Sequence, residues 1–395
     1  MNNKNISLLG LLVVILVAAN LRSPITSVSP VLGEIQQQLQ LNNIQGSLLT
    51  SIPLIVFASC SLLISRLAVK TNINYGLLAG LLLLILGLYL RVWGNISMLY
   101  GGSLLIGLGI CIGNVTTPAY IKKVFPQKVG LVTGIFSVAM NLVAALASGL
   151  SISIGQWTGQ GWKGSLGIWI IWAILSVLIV VTDTFSSKKQ KLENAKAVEV
   201  NKGFNIFRSK QSWYISLFMG LQSLIYYCLI AMLPTILIAY GMNKSDAGWI
   251  ISIIQLAMLP TMFIGPIIAA KIADQKWMMI STATLMFLGL GLLAAFQTQW
   301  IYLCALLIGI SGGLSFSLSI LFFSIKAKTA AGTMKVSGKA QSVGYLIAAA
   351  GPPVFSWLYN WNHSWTPSLY FLMGMTLIMG LVGRQAAKPR FVEEY

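Results

Sequence analysis

Twelve apolar runs of about twenty residues, one after another along the whole chain, leave very few folds open to it. They fall at 7–33, 44–69, 73–93, 97–122, 128–154, 164–183, 212–240, 246–270, 277–296, 300–325, 337–359 and 366–384. In lipid every backbone N–H and C=O must find a partner, and a run of this length pairs them within itself only as a helix. Pro24, Pro30, Pro53, Pro118, Pro260 and Pro266 lie inside the runs and are read as kinks that neighbouring helices compensate. With 56% of residues hydrophobic and only 9% charged, too little polar surface remains for a soluble enzyme, a disordered chain or a nucleic-acid-binding domain. The expected fold is an all-α membrane protein with twelve transmembrane helices.

The net charge of +18 carries its information in its placement. If the N-terminus is cytoplasmic, one side of the membrane takes Lys4, Arg66, Lys70, Lys122, Lys123, Lys128, the basic residues between Lys188 and Lys210, Lys271, Lys276, Lys326, Lys328, Lys335, Lys339, Arg384, Lys388 and Arg390. The other side keeps only Arg91, Lys163 and Lys244. The positive-inside rule then puts both termini in the cytoplasm, in a multi-pass protein of the inner or plasma membrane. Lys4 followed by the apolar stretch 6–19 imitates a secretion signal. Further spans follow without a convincing small-residue cleavage site, so the stretch is read as the first helix.

One long polar stretch, 184–211, divides the chain into an N-terminal six-helix bundle at 1–183 and a C-terminal one at 212–395, with the stretch itself as a cytoplasmic linker. The halves repeat weakly. Gly161-Trp162-Lys163-Gly164-Ser165-Leu166 returns as Ser364-Trp365-Thr366-Pro367-Ser368-Leu369, and Leu104-Leu105-Ile106-Gly107 returns as Leu306-Leu307-Ile308-Gly309. Two equivalent six-helix halves describe a transporter.

This plan resembles the major facilitator superfamily over the whole chain. Its signature loop between spans two and three appears twice in degraded form. Ala270-Lys271-Ile272-Ala273-Asp274-Gln275-Lys276 keeps the acid, whereas Ser65-Arg66-Leu67-Ala68-Val69-Lys70 has Val69 in the place of Asp. The resemblance makes Asp274 and Lys70 the candidate gating residues. Four stretches resemble the cyanate and nitroimidazole transporter branch: Asn20-Leu21-Arg22-Ser23-Pro24-Ile25-Thr26-Ser27-Val28, Gly113-Asn114-Val115-Thr116-Thr117-Pro118, Gly220-Leu221-Gln222-Ser223-Leu224-Ile225-Tyr226-Tyr227, and Gln341-Ser342-Val343-Gly344-Tyr345-Leu346-Ile347-Ala348-Ala349.

Arg22 is the sharpest candidate. It lies 16 residues past Ile6, about 24 Å along a helix at 1.5 Å per residue, so it falls in the middle or outer half of the hydrocarbon layer. A guanidinium there needs water or a counter-charge. The eight acids, Glu34, Asp183, Glu193, Glu199, Asp246, Asp274, Glu393 and Glu394, are each expected at a helix end, loop or tail, which leaves Arg22 to bind a substrate anion through its planar fork. The single histidine, His363, falls in a loop. If a proton is coupled at all, Glu34 at the outer mouth is the residue to carry it, and exchange or facilitated movement is the favoured mode.

Span seven is the symmetry mate of span one, and an offset of about 204 makes Tyr226 the counterpart of Arg22. Gln222, four residues earlier, shares its helix face. Tyr227, Asn114, Asn141, Gln255, Gln341, Tyr345 and Ser315, the middle of the stripe Ser311, Ser315 and Ser319, complete the candidate substrate-binding set. Each also has a plain reading as interhelical glue. Cys60, Cys111, Cys228 and Cys304 have no metal-type spacing and are read as packing residues. Trp93, Trp157, Trp162, Trp300, Trp361 and Trp365 are read as interfacial anchors, and Gly107, Gly109 and Gly113 as close-packing residues.

The expected function is secondary active or facilitative transport of a small anion or compact polar molecule, cyanate-, nitrate- or nitroimidazole-like, by alternating access around a central Arg site. The alternative is a drug or toxic-compound exporter of the same superfamily, with proton coupling. No enzyme activity, cofactor, metal or nucleic-acid partner is expected. The expected partners are a small-molecule substrate and the lipid bilayer, and the protein is expected to act as a monomer.

Overall fold

In a computed structural model the described residues, 8–93, 95–191 and 204–394, form helices and short connections. The first run is broken into α1 (Leu8–Asn20), α2 (Ser23–Thr26) and α3 (Val28–Leu39). Then come α4 (Asn43–Ala68), α5 (Ile73–Arg91), α6 (Ile96–Val124), α7 (Val129–Thr158), α8 (Trp162–Gly167) and α9 (Trp169–Lys191). The second half holds α10 (Lys210–Ala239), α11 (Lys244–Ala269), α12 (Lys276–Phe296), α13 (Ile301–Ile325), α14 (Ala330–Asn362) and α15 (Thr366–Ala386). Among the described residues, 11 helical stretches are long and apolar enough to cross a bilayer. The twelfth expected span is α14, whose 33 residues exceed what a bilayer needs but whose first half carries Thr333, Lys335, Ser337, Lys339, Gln341 and Ser342. Glu193 and Glu199 lie outside the described residues, as does the start of the first run.

The helix starts follow from their capping residues. Asn42, Asn72, Asn95, Ser209 and Asn243 each accept a backbone N–H of the first turn of α4, α5, α6, α10 and α11. At α4 the Gln45 side chain answers the Asn42 N–H and completes a capping box.

The chain divides into two compact units. The first comprises Met1–Lys128, Ile135–Gly203 and Thr329–Gly338; the second comprises Val129–Gly134, Phe204–Lys328 and Lys339–Tyr395. Within the first, α4 packs on α6, α5 on α6 and α9, and α1 on α6 and α9. Within the second, α11 packs on α13, α12 on α13 and α15, and α10 on α13 and α15, which is the same set of pairings helix for helix. Small residues permit the closest of them: a Cβ on Gly87 would sit 2.7 Å from the Gly102 carbonyl, and one on Gly102 would sit 2.6 Å from the Gly87 carbonyl.

The repeated tryptophan motif has a structural reason that differs from the expected one. Trp162 and Trp365, read as interfacial anchors, are buried at 0% and 6% exposure, while Trp93, Trp157, Trp300 and Trp361 are exposed as an aromatic belt requires. Trp162 sits in a cluster with Val28, Val31, Ile35, Leu49, Leu99 and Leu166. Its backbone N–H donates to Glu34 Oε1 at 3.1 Å and its indole N–H to Gln38 Oε1. Gly161, at φ +56°, leaves room for that carboxylate. Trp365 stacks on Tyr359 with ring centroids 4.0 Å apart, and on Phe355 at 5.9 Å.

A second correction concerns Asp183. Hydropathy falls there, and a helix end was expected, yet α9 continues to Lys191 and Asp183 is only 8% exposed. Asn74 Nδ2 and Tyr120 OH both donate to Asp183 Oδ2, each at 2.9 Å, so α5, α6 and α9 meet on one carboxylate. The second unit has a clamp at corresponding places. Lys326, just beyond α13, donates to Gln275 Oε1 at 2.7 Å and to the carbonyls of Ala387 at 2.7 Å and Lys388 at 2.9 Å. Lys339, expected in a cytoplasmic segment, is also buried: its ammonium donates to Ser212 Oγ at 2.7 Å and lies 3.7 Å from the Trp213 ring centroid.

Candidate functional site

Span one breaks at Arg22 for a reason written in its prolines. Pro24 has no N–H to offer the Asn20 carbonyl, and Pro30 has none for Thr26, so the helical ladder loses two rungs. Arg22 occupies the N-cap position of α2 with φ −129° and ψ −34°, half-buried. The polar residues around it are consumed in packing: Asn20 Nδ2 donates to Ser176 Oγ at 2.8 Å, Ser23 Oγ to the Ala19 carbonyl at 2.7 Å, and Thr26 Oγ1 to the Ala144 carbonyl at 3.0 Å. Arg91 joins this neighbourhood, a residue that sequence reasoning counted only as a loop charge. It is 2% exposed, and its Nη1 donates to the Pro24 carbonyl at 2.6 Å.

The second unit contains a small pocket walled by α10, α11, α12, α13 and α15. Its lining brings together three of the expected residues, Gln222, Tyr226 and Ser315. The remaining wall is Ile225, Leu229, Ile230, Ile251, Ile254, Met258, Met286, Ile308, Gly312 and Met379. Gln222 is buried and donates to Ser223 Oγ at 2.7 Å, while Ser315 Oγ donates to the Gly312 carbonyl at 3.1 Å. The rest of the serine stripe is spent in packing: Ser311 Oγ donates across to the Thr282 carbonyl of α12 at 2.7 Å, and Ser319 Oγ back to the Ser315 carbonyl of its own helix at 2.8 Å.

The other candidates are placed elsewhere. Tyr227 meets Tyr226 edge to face, 5.7 Å between centroids, without lining the cavity. Gln255 is half-buried on α11 beside Ile254, and Gln341 and Tyr345 lie on α14, buried and half-buried. In the first unit Asn141 Nδ2 folds back on the Ser137 carbonyl at 2.9 Å, and the Asn114 carbonyl accepts Ser337 Oγ at 3.1 Å. Asp274 Oδ1 accepts the Lys276 N–H at 3.0 Å at the start of α12, whereas Lys70 is exposed past the end of α4. Glu34 is exposed and caps α8 through Trp162, as described above. Cys111, Cys228 and Cys304 are buried and Cys60 is half-buried, and all four are free thiols.

Twelve runs, matched helix pairings in two halves and a walled cavity in one of them agree with what comparison finds. The family model for the Major Facilitator Superfamily matches residues 11–352. The chain belongs to the major facilitator superfamily. It is 35% identical to the uncharacterised transporter YycB of Bacillus subtilis (strain 168), covering 99% of this chain and 96% of that one. It is 31% identical to the 2-nitroimidazole transporter of Escherichia coli (strain K12), over 95% of each. The cyanate transport protein CynX of the same organism is 25% identical over 87% of this chain and 88% of its own. The fold superposes on the proton:xylose symporter XylE with a TM-score of 0.80, 15% identity, and coverage of 100% and 99%. This member of the superfamily is therefore a multi-pass membrane transporter, not an enzyme, related to the nitroimidazole and cyanate carriers.

Proposed function

We propose that the protein moves a compact, planar, polar molecule of the nitroimidazole kind across the membrane by alternating access, as a secondary active or facilitative carrier. The observation that carries this reading is the composition of the cavity in the second unit. Ten apolar residues, three of them Met258, Met286 and Met379, surround only three polar ones. Such a wall suits a heteroaromatic ring, which gains from apolar burial and from sulfur contacts, while Gln222, Tyr226 and Ser315 supply hydrogen bonds for a nitro group or ring nitrogen. A bare cyanate or nitrate ion would lose hydration against the same wall and gain little from it. The 31% identity to a 2-nitroimidazole transporter supports the same substrate class. Arg22 favours a second reading, a small anion, because a guanidinium at a helix break offers a bidentate fork. The lysine and arginine distribution supports both termini in the cytoplasm.

The test is uptake into proteoliposomes of labelled 2-nitroimidazole, cyanate and nitrate, each with and without an imposed pH gradient. Saturable uptake of the nitroimidazole, with cyanate and nitrate near background, is the expected result. Saturable cyanate or nitrate uptake with no nitroimidazole uptake would replace this reading by the second one.

A further inference from the structure

We infer that the pocket of the second unit selects a hydrogen-bond donor: Gln222 and Ser315 show it acceptor oxygens, and the ligand it takes is a neutral heteroaromatic ring with a free N–H. The inference rests on the nitroimidazole reading and narrows it. Gln222 is buried, at 6% exposure, and stands in the pocket wall on α10. Its amide nitrogen Nε2 is turned onto Ser223 Oγ, the next residue of the helix, at 2.7 Å. The donor edge of the carboxamide is thereby drawn away, while Oε1 makes no hydrogen bond among the described residues and is not sealed by packing. A side chain this buried meets open space only at the pocket it lines, so the face it gives a ligand is a carbonyl oxygen. Ser223 itself is not in the wall. It acts through Gln222, as a positioning residue.

Ser315, on α13, adds a second acceptor. Its one hydroxyl hydrogen goes to the Gly312 carbonyl at 3.1 Å, so its oxygen keeps only lone pairs. Acceptors in the wall disfavour an anion. The remaining lining is Tyr226 and apolar residues, with no charged side chain, so a cation finds no counter-charge there. A neutral N–H donor on an apolar ring satisfies all three conditions. A ring without that hydrogen would strip water from the Gln222 oxygen and return nothing, which costs about tenfold or more in binding.

The test uses the full-length protein in proteoliposomes and competes uptake of labelled 2-nitroimidazole with three unlabelled compounds: 2-nitroimidazole itself, 1-methyl-2-nitroimidazole and 4-methyl-2-nitroimidazole. The N-methyl compound has lost the N–H; the C-methyl compound keeps it and carries the same added bulk. The N-methyl compound should compete about tenfold or more weakly than the parent, and the C-methyl compound within about threefold of it. In Gln222→Met the N-methyl penalty should fall to about threefold or less. Ser223→Ala, which releases the amide to turn its NH2 toward the pocket, should shrink the penalty as well, and it carries the test should Gln222→Met fail to fold. Equal competition by the N-methyl compound in the wild type, an equal loss with the C-methyl compound, or a penalty undiminished in either folded variant would overturn the inference and leave the nitroimidazole reading standing. Absence of any saturable 2-nitroimidazole uptake would overturn both.

Discussion

Replacing Tyr120 by Phe deletes one of the two hydrogen bonds that fix Asp183 and leaves the ring in place. Both bonds are 2.9 Å and both end on Oδ2. Hydrogen bonds to a charged group contribute about 1.5–3 kcal/mol each, so Tyr120→Phe should lower unfolding stability by about that amount. Asp183→Ala removes both, a loss of about 3–6 kcal/mol, and leaves the Tyr120 hydroxyl buried without its acceptor, although Asn74 keeps Thr184 Oγ1 at 3.3 Å. In the double variant the Tyr120 bond is already gone, so its cost should fall short of the sum of the singles by about 1.5–3 kcal/mol. Unfolding by SDS in mixed detergent micelles, read by tryptophan fluorescence, gives the three differences. If the single costs add to within about 0.5 kcal/mol, the two side chains do not interact and the clamp reasoning fails.

Arg22→Ala should abolish the thermal stabilisation given by transported substrate while leaving expression unchanged, and Arg22→Lys should restore only part of it; an undiminished stabilisation in the Ala variant would remove Arg22 from the site. Gly312→Ala should narrow the pocket of the second unit and lower saturable uptake in proteoliposomes with the Tm retained, since its Cβ would meet the Met258 side chain at 3.5 Å, an ordinary contact. Burial lowers the Lys326 ammonium from its ordinary 10.5 to about 8, with Asp274 opposing the shift. Between about pH 8 and 10.5 the unfolded chain therefore binds the extra proton, so this residue makes stability rise with pH in that window. Lys326→Met should flatten that rise in a series of unfolding curves.

Much of the fold was legible because length and hydropathy are strict constraints in lipid. The pairing of Gln222 with Tyr226 was also legible, since four residues of helix fix a common face, and the symmetry offset pointed to span seven. Ser315 was singled out of the stripe, but the contact that ties Ser311 to the Thr282 carbonyl of α12, distant in sequence, was not legible. Asp183, Trp162 and Trp365 were misjudged, and the burial of Lys326, Lys339 and Arg91 was missed, for one reason. Each lies where hydropathy marks a boundary, and each is buried by helices from elsewhere in the chain. A signal did exist: Asn74 and Gln275, both buried polar residues, sit at matching places at the start of α5 and α12.

A continuous helix behaves as a stiff rod, and turning one side chain on it means turning the rod. Span one is instead three rods joined at two points, residues 21–22 and 27, with Arg22 on the first joint. A handful of backbone torsions can swing that guanidinium while α1 and α3 keep their seats against α9 and α4. Motion of the charge is thereby uncoupled from motion of the bundle, and the struts from Arg91 to the Pro24 carbonyl, from Thr26 to the Ala144 carbonyl and from Ser151 to the Ser27 carbonyl set how freely the joint turns.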